Sequence, residues 1–448
     1  MIISGTSLLI FFPACFRHIL NKSQLLQNSS LKIFELRPAS KTFEGWKRPP
    51  IKLFQDVYLF NWTNPHELKN KSTKPTFTQL GPYRFTEIRD KVNVNFHEKT
   101  LSYQQFSTYF FDAEGSNGSL SDICTTVNMV PLGAASKAQF WNFLMQKAVS
   151  LALGSYKHEL HVTKSVGELL YEGYDDEMVS MSKVFTEDAK FDRVGLLFHK
   201  NGTKYMHDHF EVFTGAGDAS KFGLISKFNN ATEFPFYEGE CRKLKGSANE
   251  FFPATQSLVD PIHIFVPEMC RSIPMDYEGD FAFLGIKGHK FAAGLRATDN
   301  GTMFDETKCY MTENVKMAAG VMNISVCNDA FPVFISFPHF YGADQSYISA
   351  VQGIQPVKEN HESYITQEPT TGLTIKLALR FQSNFLMKQF GEHILLFRNV
   401  PEVFLPVFWV EQIYQLSPKF AKELRMGLAI PTIVRWMSIM FIILGLCL

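Results

Sequence analysis

Four cysteines in the second half of the chain, Cys241, Cys270, Cys309 and Cys327, form an even set, and the sequon Asn323-Ile324-Ser325 lies inside it. A glycan acceptor among cysteines available for pairing calls for an oxidising lumen or the cell exterior. One sequon arises easily by chance. Here there are nine, the others at Asn21, Asn28, Asn61, Asn70, Asn117, Asn201, Asn230 and Asn300. Such a spread points to a glycosylated ectodomain. Asn21 and Asn28 follow the first apolar run closely, which leaves Asn61, Asn70, Asn117, Asn201, Asn230, Asn300 and Asn323 as the expected acceptors. Four cysteines allow three pairings, and the residues alone do not choose among them. Cys15 and Cys447 belong to the terminal apolar segments, and Cys124 stands alone, as a small buried hydrophobe does.

A chain of 448 residues with zero formal net charge has room for two or three domains or one large β domain. Zero net charge argues against a bulk nucleic-acid binder and against a polybasic membrane surface. The 43 phenylalanines are explained by an aromatic core or by an apolar cavity lining. Residues 1–16 are apolar but shorter than the roughly 20 needed to span a bilayer, and sit in the range of a signal-peptide core. Residues 426–448 are a better membrane segment, with Arg435 placed to snorkel toward headgroups. Arg17, His18 and Lys22 would place the first loop in the cytosol by the positive-inside rule, but the sequons place it outside.

Between these ends the texture is mainly β. Val57 to Trp62 reads as an aromatic strand stopped by Asn64-Pro65, and Gly81-Pro82 opens another. Residues 90–112 continue in strands. Val333 to Tyr341 reads as a buried strand halted by Pro338, and 185–300 is strand and turn, with Gly246-Ser247 among the turn markers. The period changes over Pro131 to Gly154. Its apolar residues, Phe140, Trp141, Leu144, Val149, Leu151 and Leu153, cover more than one face of a helix. Such a helix is either packed on two sides or left with apolar surface for a ligand. A second short helix is expected over Ser165 to Tyr171.

No enzyme signature is present. There is no G-x-S-x-G elbow, P-loop or dinucleotide fingerprint, so neither catalytic activity nor a cofactor is expected. His158 with His161, and His207 with His209, read as solvated or capping histidines rather than metal ligands; His339 reads as a hydrogen-bonded core residue. Between Ala134 and Val166 the cations Lys137, Lys147, Lys157 and Lys164 face a single acid, Glu159. A basic rim beside Phe140, Trp141 and Leu144 suits an amphipathic anion; the alternative is an ordinary solvated helix face.

Several words, Ser336-Phe-Pro-His-Phe-Tyr341, Glu368-Pro-Thr-Thr-Gly372, Arg380-Phe-Gln-Ser-Asn384, Phe265-Val-Pro-Glu-Met-Cys270 and Leu405-Pro-Val-Phe-Trp409, resemble the class B scavenger receptors. That family includes fatty-acid translocase, lysosomal integral membrane proteins, and insect croquemort and sensory neuron membrane proteins; the chain most resembles the insect croquemort type among these. The resemblance covers roughly Phe11 to Leu448. It implies an α+β, mainly β fold: a large antiparallel barrel-like ectodomain (17–425) with an apical helical cap at about 131–175 and an internal apolar tunnel. A membrane helix is implied at each end, and against that template both ends read as truncated. Position by position it implies the bridges Cys241–Cys309 and Cys270–Cys327. It implies a plasma-membrane scavenger receptor for lipids, fatty acids, lipoproteins, anionic phospholipid or apoptotic-cell ligands, with weak homo-oligomerisation as a further contact. Alternatives are a lysosomal membrane protein that exports lipid or chaperones an enzyme, a sensory lipid-pheromone co-receptor, and a non-lipid adhesion receptor.

Overall fold

The computed structural model describes residues 35–38, 41–48, 53–180, 193–201, 208–248, 251–254, 258–311, 317–328 and 331–447. The expected N-terminal membrane segment, the sequons at Asn21 and Asn28, and His207 lie outside them. Runs of aromatic and β-branched residues form the strands β1 (Leu53–Trp62), β2 (Phe77–Phe96), β3 (Thr100–Phe111), β4 (Ile123–Val127), β5 (His161–Ser165), β6 (His209–Phe213) and β7 (Ile225–Phe228). They continue as β8 (Ile262–Val266), β9 (Arg271–Phe283), β10 (Ile286–Ala292), β11 (Met322–Asn323), β12 (Val333–Ser336), β13 (Tyr364–Gln367), β14 (Thr374–Met387) and β15 (Val403–Gln415).

Thirteen of these make one antiparallel sheet in the order β7-β6-β3-β2-β1-β15-β14-β13-β10-β9-β8. β12 and β13 share one edge of β14, β13 on its first half and β12 on its second, and β11 pairs with β12. The sheet nearly closes on itself. Its two outer strands are joined by the short segment Gly246-Ser247. Ile225 N–H donates to the Gly246 carbonyl, while Ser247 exchanges backbone bonds with His263 and Phe265. Gly246, at φ +85, is so close to β8 that a Cβ would lie 2.0 Å from the His263 carbonyl oxygen. The pair expected only to turn the chain thus caps the two sheet edges, which would otherwise be left with unpaired N–H and C=O groups.

Next to this join the disulfides Cys241–Cys309 and Cys270–Cys327 close loops with sequence separations of 68 and 57. Buried Arg271 lies between them, its guanidinium 3.9 Å from the Tyr310 ring centroid and bonded to the Asn323 carbonyl. Cys124 is buried and free.

A charged row crosses the middle of the sheet. The register aligns Arg84, Asp56, Glu411 and Arg380 on β2, β1, β15 and β14. Arg84 holds Asp56 in a two-pronged pair at 2.7 and 2.6 Å. Arg380 donates to Glu411 at 2.6 Å and to the Glu362 carbonyl at 2.6 Å. Buried ion pairs persist only where such geometry offsets desolvation. Burial pushes the Glu411 carboxyl up, against the pull of Arg380. Beside this row His339 and His361 stack at 4.5 Å. Gln355 N–H donates to His339 Nδ1, so Nε2 carries the proton it shares with Gln79 Oε1; that oxygen also accepts from the Trp409 indole. Burial holds His339 down to about 4 and His361 to about 3.

The helix expected over Pro131–Gly154 is two helices, α1 (Met129–Ala138) and α2 (Phe143–Ser155). Asn142 makes the break: it is extended, and its side chain accepts from Met145 N–H, capping α2. A helical N-cap is a stop as definite as Gly or Pro, and the apolar spacing concealed it. The short helix expected over Ser165–Tyr171 is a π-helical turn, Glu168–Glu172, which follows β5. The β4–β5 pair, both helices and the π-helical turn pack on the sheet through Val127, Leu132, Leu153 and Leu170.

At the far end of the chain α3 (Pro418–Cys447) starts eight residues before the expected membrane segment. Ser417 Oγ accepts from Phe420 N–H, and Ala421 and Leu424 pack against Ile286 and Ile375. Among the described residues it is the one helix long and apolar enough to cross a membrane.

Candidate functional site

The two cap helices treat their side chains differently. α1 buries Pro131, Leu132, Ala135, Ser136 and Ala138, mostly small residues that let the helix sit close to the sheet. α2 buries only Gln146 and Leu153. Gln146 is the anchor. Its Nε2 donates to the carbonyls of Gln139 and Trp141, closing the interhelical break, and its Oε1 accepts from His393 N–H. Ser150 Oγ accepts from Leu395 N–H one turn on. A helix held by its polar residues must put its apolar ones elsewhere. Phe140 (71% exposed), Trp141, Phe143, Leu144 (64%), Met145 and Leu151 (73%) are all open to solvent. Single exposed apolar residues need no explanation, but six within twelve positions form an interaction surface. Lys147 Nζ lies 5.4 Å from the Phe143 ring centroid, on the flank of this surface.

Of the residues singled out from the sequence, Phe140, Trp141, Leu144 and Lys147 belong to this surface, and Lys137 is exposed in the last turn of α1. Lys157 and Lys164 do not join them. They line a separate cleft of about 490 Å³ with Tyr156, His158, Glu159, His161 and Tyr174. Lys157 occupies the left-handed position after α2 (φ +52), where His158 N–H returns to the Leu153 carbonyl. Lys164 lies 4.9 Å from the Tyr174 ring centroid and 3.8 Å from Glu168.

The cleft is not a basic rim. Asp175, Asp176 and Glu177 line it together with Glu159. The sequence window that showed one acid ended nine residues short of these three. Two buried polar atoms there, His158 Nε2 and Tyr174 Oη, have no hydrogen-bond partner; the nearest acid to His158 is Asp176, at 3.8 Å. His161 sits beside Glu159 and, on the far side, beside His66 of the β1–β2 connection. Burial lowers its pKa, with Glu159 pulling upward and His66 adding to the fall. His66, Glu159 and His161 are the three-donor group among the described residues with metal-ligand spacing. His66 lies 95 positions from His161, beyond any local motif.

The sequons divide by exposure. Asn70, Asn117 and Asn230 are exposed, and Asn61 and Asn201 are half-buried and bonded to the backbone of Thr125 and Tyr109. Asn300 and Asn323 are 6% and 5% exposed, and the Asn300 amide donates to the Met317 and Ala318 carbonyls. These two expected acceptors present their side chains to protein in the folded chain.

The sequence profile of the CD36 family matches residues 3–448. The chain is 38% identical to "Protein peste" of Drosophila melanogaster over 403 residues, covering 89% of this chain and 72% of that one. It is 30% identical to "Scavenger receptor class B member 1" of Rattus norvegicus over 410 residues, 90% of this chain and 78% of the relative. Against "Lysosome membrane protein 2" of Rattus norvegicus it is 28% identical over 431 residues, 95% and 86% of the two.

Proposed function

This chain belongs to the CD36 family of class B scavenger receptors, and on that footing we propose that it is a plasma-membrane receptor that captures lipids or lipoproteins on its cap. The observation that carries this reading is the solvent-facing apolar surface of α2 and of Phe140 and Trp141 just before it, flanked by Lys147. An acyl chain leaving water gains about 0.8 kcal/mol per CH₂ on an apolar contact, and a lysine beside that contact suits a carboxylate or phosphate headgroup. In this reading α3 and a second segment near the N-terminus hold the chain in the bilayer. Captured lipid then passes singly along an apolar tunnel through the sheet toward the membrane, without chemical turnover.

The test is lipid content. The full chain is purified in a non-lipid detergent and its bound lipid counted by native mass spectrometry, beside Trp141→Ser/Leu144→Ser and Lys147→Glu variants. Acyl lipid in the wild type that falls in both variants supports capture on α2. Equal lipid in all three retains a lipid carrier and removes α2 as its entrance. A folded, lipid-free wild type sinks the lipid reading in favour of a protein-binding receptor. Lysosomal placement is the second reading, supported by the coverage of the lysosomal relative; localisation of the tagged full chain separates the two.

A further inference from the structure

Three metal-donor side chains meet where the cap joins the β1–β2 connection. His66 lies on the tight turn Pro65–Glu67. Glu159 lies just before β5 and His161 is its first residue, with Leu160 buried at a bend between them. The bend leaves the carboxylate and the imidazole side by side. The backbone is fixed there, because Asn128 N–H donates to the Leu160 carbonyl. Glu159 Oε2 stands 3.1 Å from His161 Nε2. The two imidazoles face each other at 4.6 Å, almost perpendicular. The donor atoms of all three residues fall within 4.8 Å of one another.

The surroundings separate this group from its neighbours. Asn64 ties up Glu67, its Nδ2 donating to the carboxylate at 3.0 Å, while its Oδ1 accepts from Thr76 N–H at 2.8 Å. The turn that carries His66 is thereby held while Glu67 is occupied. The Trp62 ring stands edge-on to His161 at 6.5 Å, an apolar wall behind the ligand. His158, which spacing in sequence would pair with His161, is directed to Asp176 instead.

We propose that His66, Glu159 and His161 bind a zinc-class divalent transition-metal ion, with water completing the coordination. Bonds of 2.0–2.1 Å in a tetrahedral site space the donors about 3.3 Å apart. Glu159 and His161 already stand at that spacing, and the exposed His66 ring closes the rest by rotation. Two imidazoles and one carboxylate select zinc, cobalt, nickel or copper over magnesium and calcium, which take oxygen. The ion clasps the cap to the sheet between residues 93 positions apart (159 − 66), binding the folded state and so stabilising it. This is a site separate from the apolar face of α2, and it stands or falls independently of lipid capture.

The experiment uses the full, tag-free chain in detergent, stripped with chelator. Zinc is titrated by calorimetry, cobalt(II) is followed by its visible absorption, and thermal melts are recorded with and without zinc. The expected result is one ion per chain, tetrahedral cobalt bands and a zinc-dependent rise in Tm. His66→Ala, Glu159→Gln and His161→Ala should each weaken binding by at least about tenfold, while His158→Ala leaves it unchanged. His66 is exposed, so its variant should match the wild-type melt in chelator and separate lost binding from lost folding. No bound ion, or binding that survives both His66→Ala and His161→Ala, overturns the proposal. Loss of binding in His158→Ala overturns this choice of ligands.

Discussion

At the middle of the sheet Asp56, His339, His361, Arg380 and Glu411 are polar and between 4% and 8% exposed, whereas on the cap Phe140, Phe143, Leu144 and Leu151 are apolar and 54% to 73% exposed. Each region inverts the usual rule, and the partners explain the difference. In the sheet, the Arg380–Glu411 and Arg84–Asp56 pairs and the Gln79-centred bonds match donor to acceptor across four strands. Paired polar groups at fixed register disfavour other registers, since a one-residue slip would turn every one of them to the opposite face. On α2 only Leu153 and Val149 among the apolar side chains pack on the core, and the exposed set keeps most of its surface in water, so its burial is left to something outside the chain. The sheet's inversion serves to fix the fold; the cap's leaves binding surface.

The sharpest way to break that comparison is to unpair the sheet. Arg380→Met leaves Glu411 beside Asp56 in a buried setting without its cation. Removing one partner of a buried pair costs about 3–5 kcal/mol, measurable as a lower denaturant midpoint or loss of folded protein at the cell surface. The double variant Arg380→Met/Glu411→Leu should recover part of that loss. A single variant as stable as the wild type would mean that the charged row does not help to hold the register.

The histidines sharpen the same contrast with pH. His339 and His361 are depressed to about 4 and about 3, and burial holds His263 down to about 4 as well. Between the ordinary value of about 6.5 and those values the unfolded chain binds protons that the folded chain refuses. Stability is therefore complete above about 6.5 and falls as pH drops, by up to about 1.4 kcal/mol per unit for each histidine. Glu411, raised by burial, acts in the opposite sense above about 4.5 and lessens the slope. Thermal melts from pH 7 to 4.5 should show a falling Tm, with a shallower fall in His339→Gln. A flat wild-type profile would show that these imidazoles take up protons within the folded sheet.

Glycan mapping probes the boundary between the two kinds of surface. Asn117→Gln should remove a glycan and leave Tm unchanged, because Asn117 is exposed. Asn300→Gln should remove no glycan and cost about 1 kcal/mol, since it disturbs buried hydrogen bonds. Glycopeptide mass spectrometry finding Asn300 or Asn323 modified would mean that those segments are glycosylated before they fold.

Much of the fold was legible because its signals are local. The aromatic strand β1, the opening of β2 at Gly81-Pro82 and the strand before Pro338 each announce themselves within ten residues. The row Arg84–Asp56–Glu411–Arg380 does not, since it joins residues more than 320 positions apart through a register that only the folded sheet defines. Gly246-Ser247 looked like a turn because closing two sheet edges leaves no pattern in a single segment. At the site, Phe140, Trp141 and Leu144 were readable as surplus apolar surface. The charge setting of Lys157 and Lys164 was not, because its acids enter from the segment after the π-helical turn, and the α1–α2 break rested on one side chain, Asn142.

A small expected effect on stability is also the most telling for function. Trp141→Ser/Leu144→Ser removes two apolar side chains, 46% and 64% exposed, that belong to none of the hydrophobic core clusters. Surface changes of this kind usually lie within about 0.5 kcal/mol, so the melt should match the wild type. Binding should not: association with vesicles carrying anionic phospholipid should drop, and Lys147→Glu should weaken it further while making it less salt-dependent. Destabilisation by 2 kcal/mol or more would mean that the two side chains pack within the protein in solution and are not free for a ligand. In that case α2 would follow the ordinary rule of apolar burial and the contrast with the sheet would disappear. A silent melt with lost binding would show that the cap's apolar face is maintained for a partner outside the chain.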